Sequence, residues 1–158
     1  MMSEKKGFTL LEMMSGVMIV GIIAAVAFPS YQVFVRKSQE NNAQQEIQKI
    51  VKDLEHQKSR QFSYLGFALS PDPLYLPYGA TSTTAKYKIE VMDGDTPTVK
   101  LNATTAPLGK NWVIRALSTD GKIYSYLVNS NGTSCKNKTY ANVTFATCGT
   151  GSEAWKLP

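Results

Sequence analysis

A single carboxylate stands in a long apolar stretch near the start of the chain. Phe8 to Phe28 contains 21 residues, and Glu12 is its only charged side chain. An ionised side chain inside a bilayer costs about 3 kcal/mol on insertion scales, so it is expected to have a partner or a task. Cleavage after Gly7 would supply a partner, because the new α-amine of Phe8 is a cation. Glu12 could then pair with the amine of its own chain or of a neighbouring copy.

The other residues with a potential for chemistry do not predict an enzyme. The chain has one histidine, His56, and two cysteines, Cys135 and Cys148. No Ser/His/Asp set, metal-ligand spacing or phosphate-binding glycine loop accompanies them. We therefore expect no catalytic site, no metal and no cofactor. The two cysteines are expected to form one disulfide bond in an oxidising compartment, which would stabilise the fold by about 3 kcal/mol.

The apolar stretch predicts a membrane-spanning helix, because 21 helical residues span about 31 Å, the thickness of a bilayer's hydrocarbon core. The leader, Met1 to Gly7, has no apolar region of its own, so the apolar segment stays in the mature protein. Lys5 and Lys6 precede it, and positive flanks remain cytoplasmic. We expect three regions, which are a leader at 1–7, a transmembrane and assembly helix at 8–28, and an extracytoplasmic head at 29–158.

A helical pattern continues beyond Pro29, where the missing backbone donor is expected to kink the helix. From Tyr31 to about Arg60 the chain has neither glycine nor proline. Apolar side chains recur there at helical spacing, which indicates an amphipathic helix lying on the core of the head. This stripe consists of Ala43, Ile47, Ile50 and Leu54.

Four strand candidates follow a connection at 62–85 that is rich in proline and aromatic residues, and they predict an antiparallel meander. The candidates are Lys86 to Met92, Thr98 to Ala103, Trp112 to Ser118 and Ile123 to Asn129. Alternation predicts a face that covers the helix stripe. Its members on the last two strands are Trp112, Ile114, Ala116, Tyr124, Tyr126 and Val128. The tail at 130–158 has no sustained period, so we expect a loop that the disulfide ties down.

The net charge of +5 is a mild excess, which permits attraction to nucleic acid without requiring it. Lys136 and Lys138 lie in the expected disulfide loop, with Tyr140 close by in the sequence. They motivate the hypothesis that the head captures DNA. The alternative for these residues is a solvated polar loop.

The start of the chain resembles the class III signal of type IV pilins. The resemblance rests on Lys5-Lys6-Gly7, the following Phe8-Thr9-Leu10-Leu11-Glu12, the apolar helix and Pro29. It implies that a prepilin peptidase cleaves after Gly7 and N-methylates Phe8. It also implies that Glu12 neutralises the N-terminus of an adjacent subunit during filament assembly. Downstream stretches resemble minor pilins of the PilE type, namely Phe62 to Phe67, Trp112 to Leu117 and Cys148 to Trp155.

The resemblance implies an α+β pilin fold, with a long N-terminal helix on a four-stranded antiparallel sheet and a disulfide-closed C-terminal loop. The implied function is that of a structural subunit of a type IV pilus, a minor pilin that helps to initiate or cap the filament. Its implied partners are other pilin subunits, the prepilin peptidase and the pilus assembly machinery of the inner membrane. The head would lie in the periplasm before assembly and on the extracellular pilus afterwards.

Two alternatives stay open at this point. One is a type II secretion pseudopilin. Major pseudopilins of that system carry acidic calcium-binding loops, whereas Glu153 is the only acid after Asp120 here, which disfavours this alternative. The other is a DNA-capturing pilin for natural transformation.

Overall fold

The computed structural model describes residues 7–105 and 107–157, and the remainder of the expected leader, residues 1–6, lies outside them. The chain divides into two compact units, the first ending at Lys37 and the second beginning at Ser38. One helix, α1 (Leu10–Gln61), runs through this division and continues through Pro29. Among the described residues, α1 is the helix long and apolar enough to cross a membrane.

The apolar side chains of α1 in the first unit have no protein core to enter. Leu11 is 80% exposed, and Ile19, the least exposed large apolar side chain from Phe8 to Phe34, is still 58% exposed. Contiguous apolar surface of this size marks contact with a membrane or with other protein. The first unit therefore requires apolar surroundings that a single chain does not supply.

The second unit contains a six-stranded antiparallel sheet in which the strands are neighbours in the order of the chain. The strands are β1 (Leu74–Leu76), β2 (Tyr87–Asp93), β3 (Trp112–Ser118), β4 (Ser125–Asn129), β5 (Ser134–Asn137) and β6 (Glu153–Ala154). A short 3-10 helix, Tyr140–Asn142, lies between β5 and β6. The predicted α+β fold is confirmed, with six strands rather than four.

One face of the sheet carries the core that the sequence predicts. The helix stripe Ala43, Ile47, Ile50 and Leu54 is buried in one cluster with residues of β3 and β4. Those strand residues are Trp112, Ile114, Ala116, Tyr126 and Val128, with Tyr124 partly buried against them. Ile114 pairs with Val128 across the two strands, so both lie on the same face, as alternation requires.

The strand predicted at Thr98 to Ala103 is wrong, because this segment closes on itself in turns. The amide of Val99 donates to the Thr96 carbonyl at 2.9 Å, and that of Ala103 to the Lys100 carbonyl at 3.0 Å. Leu101 is nevertheless only 1% exposed. One buried side chain thus anchors a loop whose alternation resembles that of a strand.

The expectation that the whole tail is a loop is also wrong, because it contributes β5 and β6. β5 pairs with β4, placing Cys135 opposite Leu127, and β6 pairs with β5, placing Glu153 opposite Lys136. These strands are defined by their backbone partners, since their side chains show no apolar alternation. The Cys135 to Cys148 disulfide is present as predicted.

The second face of the sheet is covered by the disulfide loop, residues 135–148. Val113 of β3 and Leu127 of β4 are buried there with Val143 and Cys148. The guanidinium of Arg115 lies 3.9 Å from the centroid of the Phe145 ring. The loop therefore forms a second, smaller core that the sequence pattern does not reveal.

Candidate assembly helix and nucleic-acid interface

The start of α1 is capped by a local side-chain contact that involves Glu12. The amide of Glu12 donates to the Thr9 hydroxyl at 3.2 Å, and the Ser15 hydroxyl donates to the Glu12 carbonyl at 2.9 Å. Thr9 and Glu12 have the spacing of a capping box, and an acid in the first turn favourably faces the positive end of the helix dipole. Helix capping thus gives a second physical reason for a glutamate here, one that the Thr-x-x-Glu spacing could have revealed.

The predicted cleavage junction immediately precedes α1. Gly7 and Phe8 have irregular backbone, and the Phe8 side chain is 76% exposed. A side-chain carbon added at Gly7 would meet no atom within 4 Å. Within this chain the junction is therefore open, and packing around Gly7 does not explain why glycine stands there.

Lys136 and Lys138 converge on Tyr124 rather than on Tyr140. Their ammonium nitrogens lie 4.2 Å and 5.0 Å from the centroid of the Tyr124 ring. Tyr140 belongs to the 3-10 helix and is 57% exposed. Cations over an aromatic face are attracted by its quadrupole. We call Tyr124, Lys136, Lys138 and Glu153 the Tyr124 cluster.

Glu153 neutralises part of the positive charge of the Tyr124 cluster. The Tyr124 hydroxyl donates to Glu153 Oε1 at 2.8 Å, and Lys136 Nζ lies 3.2 Å from Glu153 Oε2. These two hydrogen bonds hold the pKa of Glu153 below its ordinary value. The cluster thus holds two cations and one anion, a weaker attraction for a polyanion than the two lysines alone suggest.

Contacts with α1 and β2 fix the position of Tyr124. Its amide donates to Glu40 Oε1 at 2.9 Å, and its carbonyl accepts from the Tyr87 hydroxyl at 2.6 Å. On β4, which begins at the next residue, the Tyr126 hydroxyl accepts from the Gln44 amide at 2.9 Å. Burial raises the pKa of Tyr126 to about 12, so this phenol stays neutral in ordinary buffers. The backbone beneath the cluster is therefore rigidly held.

His56, the single histidine, is exposed on α1, and its carbonyl accepts a hydrogen bond from the Ser59 hydroxyl at 2.7 Å. Within residues 7–105 and 107–157, no three His, Cys, Asp or Glu side chains are grouped so that they could hold a metal ion.

Comparison with known proteins matches both parts of the chain. Residues 2–28 match the family model described as the prokaryotic N-terminal methylation motif. Residues 29–111 match the model described as type IV minor pilin ComP, DNA uptake sequence receptor. No solved structure matches the chain significantly.

Similar individual proteins are fimbrial subunits. A fimbrial protein of Pseudomonas aeruginosa is 35% identical over 115 residues, which cover 70% of this chain and 72% of that protein. The type IV major alpha-pilin of Moraxella bovis is 46% identical over 46 residues, 29% of each chain. The type IV major fimbrial protein FimA of Dichelobacter nodosus is 54% identical over 39 residues, 25% of each chain.

The fold and these matches define the class: the chain belongs to the type IV pilins. Within that class, the family that covers more than half of the chain is the one described as type IV minor pilin ComP, DNA uptake sequence receptor. The predicted resemblance to type IV pilins with a class III signal is confirmed. The prediction of a minor pilin agrees with this family.

Proposed function

We propose that the chain is a non-catalytic minor subunit of a type IV pilus that helps to initiate or cap the filament. Before assembly it spans the inner membrane through residues 8–28, with its head in the periplasm. The observation that carries the proposal is the exposed apolar surface of α1, interrupted by the single acid Glu12. Because such a surface is stable either in lipid or against other helices, one segment can serve first as anchor and then as assembly surface.

The proposal includes processing by a prepilin peptidase between Gly7 and Phe8, followed by N-methylation of Phe8. The match of residues 2–28 to the N-terminal methylation motif supports it. Mass spectrometry of the N-terminal peptide from sheared pili tests it, and we expect N-methylated Phe8. Gly7→Leu should block cleavage and keep the subunit in the membrane. Intact Met1 on protein within pili would contradict the proposal.

Glu12 is proposed to pair with the Phe8 amine of a neighbouring subunit in the filament. The decisive variant is Glu12→Gln, because glutamine also serves in a capping box, so the variant keeps the helix start and removes only the charge. An unpaired amine buried among apolar helices would cost several kcal/mol. We expect normal membrane insertion but poor entry into pili, measured as the ratio of the two fractions. Leu10→Ala, which strands no charge, is the milder control; equal incorporation of wild type and Glu12→Gln would refute pairing.

A second proposed activity is the capture of DNA by the head, supported by the family match at residues 29–111 and by the cations of the Tyr124 cluster. The test is to titrate the full mature chain, held in nanodiscs of zwitterionic lipid, with duplex DNA at several salt concentrations. Binding through phosphates requires an affinity that falls steeply as salt rises. Absence of salt-dependent binding would leave the chain as an assembly subunit only.

Fimbrial relatives and pilin models favour a pilus subunit over a type II secretion pseudopilin.

A further inference from the structure

The C-terminal end of α1 presents an aromatic side chain on an unfavourable backbone. α1 ends at Gln61, and Phe62 follows with a φ of 56°, the left-handed conformation in which glycine is favoured. Its amide closes the helix by donating to the Lys58 carbonyl at 2.7 Å. The Phe62 side chain is 90% exposed, so burial of the ring does not offset the backbone strain. A strained residue held by its surroundings is a reason to look for function.

The residues after Phe62 hold it rigidly in this position. The Tyr64 amide and the Ser63 hydroxyl both donate to the Gly109 carbonyl, at 2.9 Å and 3.2 Å. Gln57 donates to the Leu65 carbonyl at 2.6 Å. The Tyr64 side chain is buried, 1% exposed. The Phe62 ring is thus presented to solvent by a fixed backbone rather than by a mobile loop.

The two segments that meet at Phe62 carry basic but no acidic side chains. Residues 56–71 and 96–119 contain neither Asp nor Glu, and they are joined by the bonds to Gly109 and by the Gly66 amide, which donates to the Leu101 carbonyl at 2.8 Å. Lys58 and Arg60 lie in the last turn of α1, and Lys110 follows Gly109 directly. We call Phe62, Lys58, Arg60 and Lys110 the tip surface.

Most of the acids near these two segments accept hydrogen bonds or form an ion pair within the head. Tyr64 and Trp112 donate to Glu55 at 2.8 Å and 3.4 Å. Asp72 pairs with Lys100 at 2.9 Å, and Asp93 and Asp95 accept hydrogen bonds from Gly109 and Asn111. Lys58 Nζ lies 4.7 Å from the centroid of the Tyr64 ring, and contacts with Tyr64 and the charge of Glu55 raise the pKa of Lys58. Glu55 therefore offsets part of one cation, whereas Arg60 and Lys110 form no ion pair with a carboxylate among the residues that the structure describes. The tip surface thus keeps an excess of positive charge.

We propose that the tip surface is where the head contacts duplex DNA, with Phe62 packed against bases in a groove and the three cations on phosphates. This proposal rests on the proposed capture of DNA and assigns a site to it. A surface with an excess of cations is complementary to a polyanion. An apolar ring that inserts between base steps contacts the stacked bases rather than the charged phosphates. A ring that is already held rigidly loses little conformational entropy on binding.

The decisive variant is Phe62→Gly, because glycine accepts the left-handed backbone and leaves the fold intact. With the full mature chain in zwitterionic nanodiscs, we expect a thermal midpoint no lower than that of wild type and an affinity for duplex DNA reduced at least about five-fold, with the salt slope unchanged. Phe62→Trp should retain affinity. Lys110→Gln should weaken binding and reduce the salt slope by about 1. Tyr140→Ala, which removes another exposed aromatic side chain, is the matched control and should bind as wild type.

The outcomes separate this site from DNA capture itself. If wild type does not bind duplex DNA, the proposed capture fails whatever the variants do. If wild type binds and Phe62→Gly binds equally well, the tip surface is not the site. If the double variant Lys136→Gln and Lys138→Gln loses DNA affinity while Phe62→Gly does not, DNA binds at the Tyr124 cluster and the proposal is overturned. If Phe62→Gly leaves the DNA affinity unchanged but reduces entry into pili, Phe62 belongs to a contact between subunits, and this result would also overturn the proposal.

Discussion

The two faces of the head's sheet are buried by different means. Toward α1, side chains from the helix and from several strands form one large cluster, with Tyr87, Ile89 and Leu54 fully buried. On the other face a short loop covers Val113 and Leu127, and a disulfide closes that loop. Apolar area stabilises the first face directly. The second face has a smaller apolar cluster, and a covalent link and a cation over an aromatic ring also hold its loop.

The largest effect should come from truncating the helix-side core. Leu54 is completely buried, and Leu54→Ala should lower the free energy of unfolding by about 4 kcal/mol, because it removes apolar contacts and leaves a cavity. Denaturant unfolding followed by tryptophan fluorescence measures this. Lys52→Ala, at an exposed position of α1, should change stability by at most about 0.5 kcal/mol. A Leu54→Ala loss below that of the disulfide variant would reverse the proposed ranking of the two faces.

Removing the disulfide should lower the free energy of unfolding slightly less than Leu54→Ala does. It should destabilise only the face of the sheet that the disulfide loop covers, which we call the loop-side face. Replacing Cys135 and Cys148 together by serine should lower the free energy of unfolding by about 3 kcal/mol. Hydrogen exchange should show lost protection in the loop, residues 138–147, while β2 keeps its protection. Equal loss of protection in β2 and in the loop would show that the two faces are not independent.

A smaller effect is expected at the contact between Arg115 and Phe145. Phe145→Leu keeps an apolar side chain against the sheet but removes the ring over which the guanidinium lies. We expect a loss of about 1 kcal/mol. A double-mutant cycle with Arg115→Met isolates the contact, because each single variant also changes packing. A coupling energy near zero would mean that the Arg115–Phe145 contact does not help to hold the loop.

The smallest effect concerns pH and the ion pairs of Glu90 on the loop-side face. Burial disfavours ionisation of Glu90, but hydrogen bonds from Lys88 and Arg115 outweigh it, so the pKa of Glu90 is below its ordinary value. A carboxyl group whose pKa is lower in the folded state stabilises that state at pH values above its unfolded pKa, which is about 4.3 for glutamate. This stabilisation is lost as the pH falls through the pKa of the folded state. The stability gap between wild type and Glu90→Gln should therefore narrow below about pH 4.3. Thermal midpoints of wild type and Glu90→Gln that stay the same distance apart as the pH falls would contradict this prediction.

The helix-side face could be predicted from the sequence because its signals are periodic. Ala43, Ile47, Ile50 and Leu54 follow the helix repeat, and β3 alternates with a period of two, so spacing alone placed them. The same rule failed at Thr98 to Ala103, where Val99 and Leu101 alternate but the segment forms no strand ladder, although the Val99 carbonyl accepts one hydrogen bond from the Asp93 amide at 2.9 Å. Alternation shows which side chains could share a face, but not whether the backbone finds a partner.

The loop-side face and the candidate sites depend on contacts between residues distant in sequence. Val113 and Leu127 are buried only because the disulfide loop folds over them, and β5 is a strand only because β4 offers its backbone. Likewise, the sequence placed Lys136 and Lys138 beside Tyr140, whereas pairing of β4, β5 and β6 brings them to Tyr124. The left-handed backbone of Phe62 leaves no local sign, since glycine is the residue expected there.

The edges of the sheet bear on how copies of this chain associate when they are crowded. β1 has three residues, lies between Pro73 and Pro77, and cannot extend its hydrogen-bonding edge past either proline. β6 at the opposite edge has two residues, both exposed. Short edges interrupted by proline are poor templates for a further strand. Heads held close together are thereby discouraged from pairing edge to edge into amyloid-like aggregates.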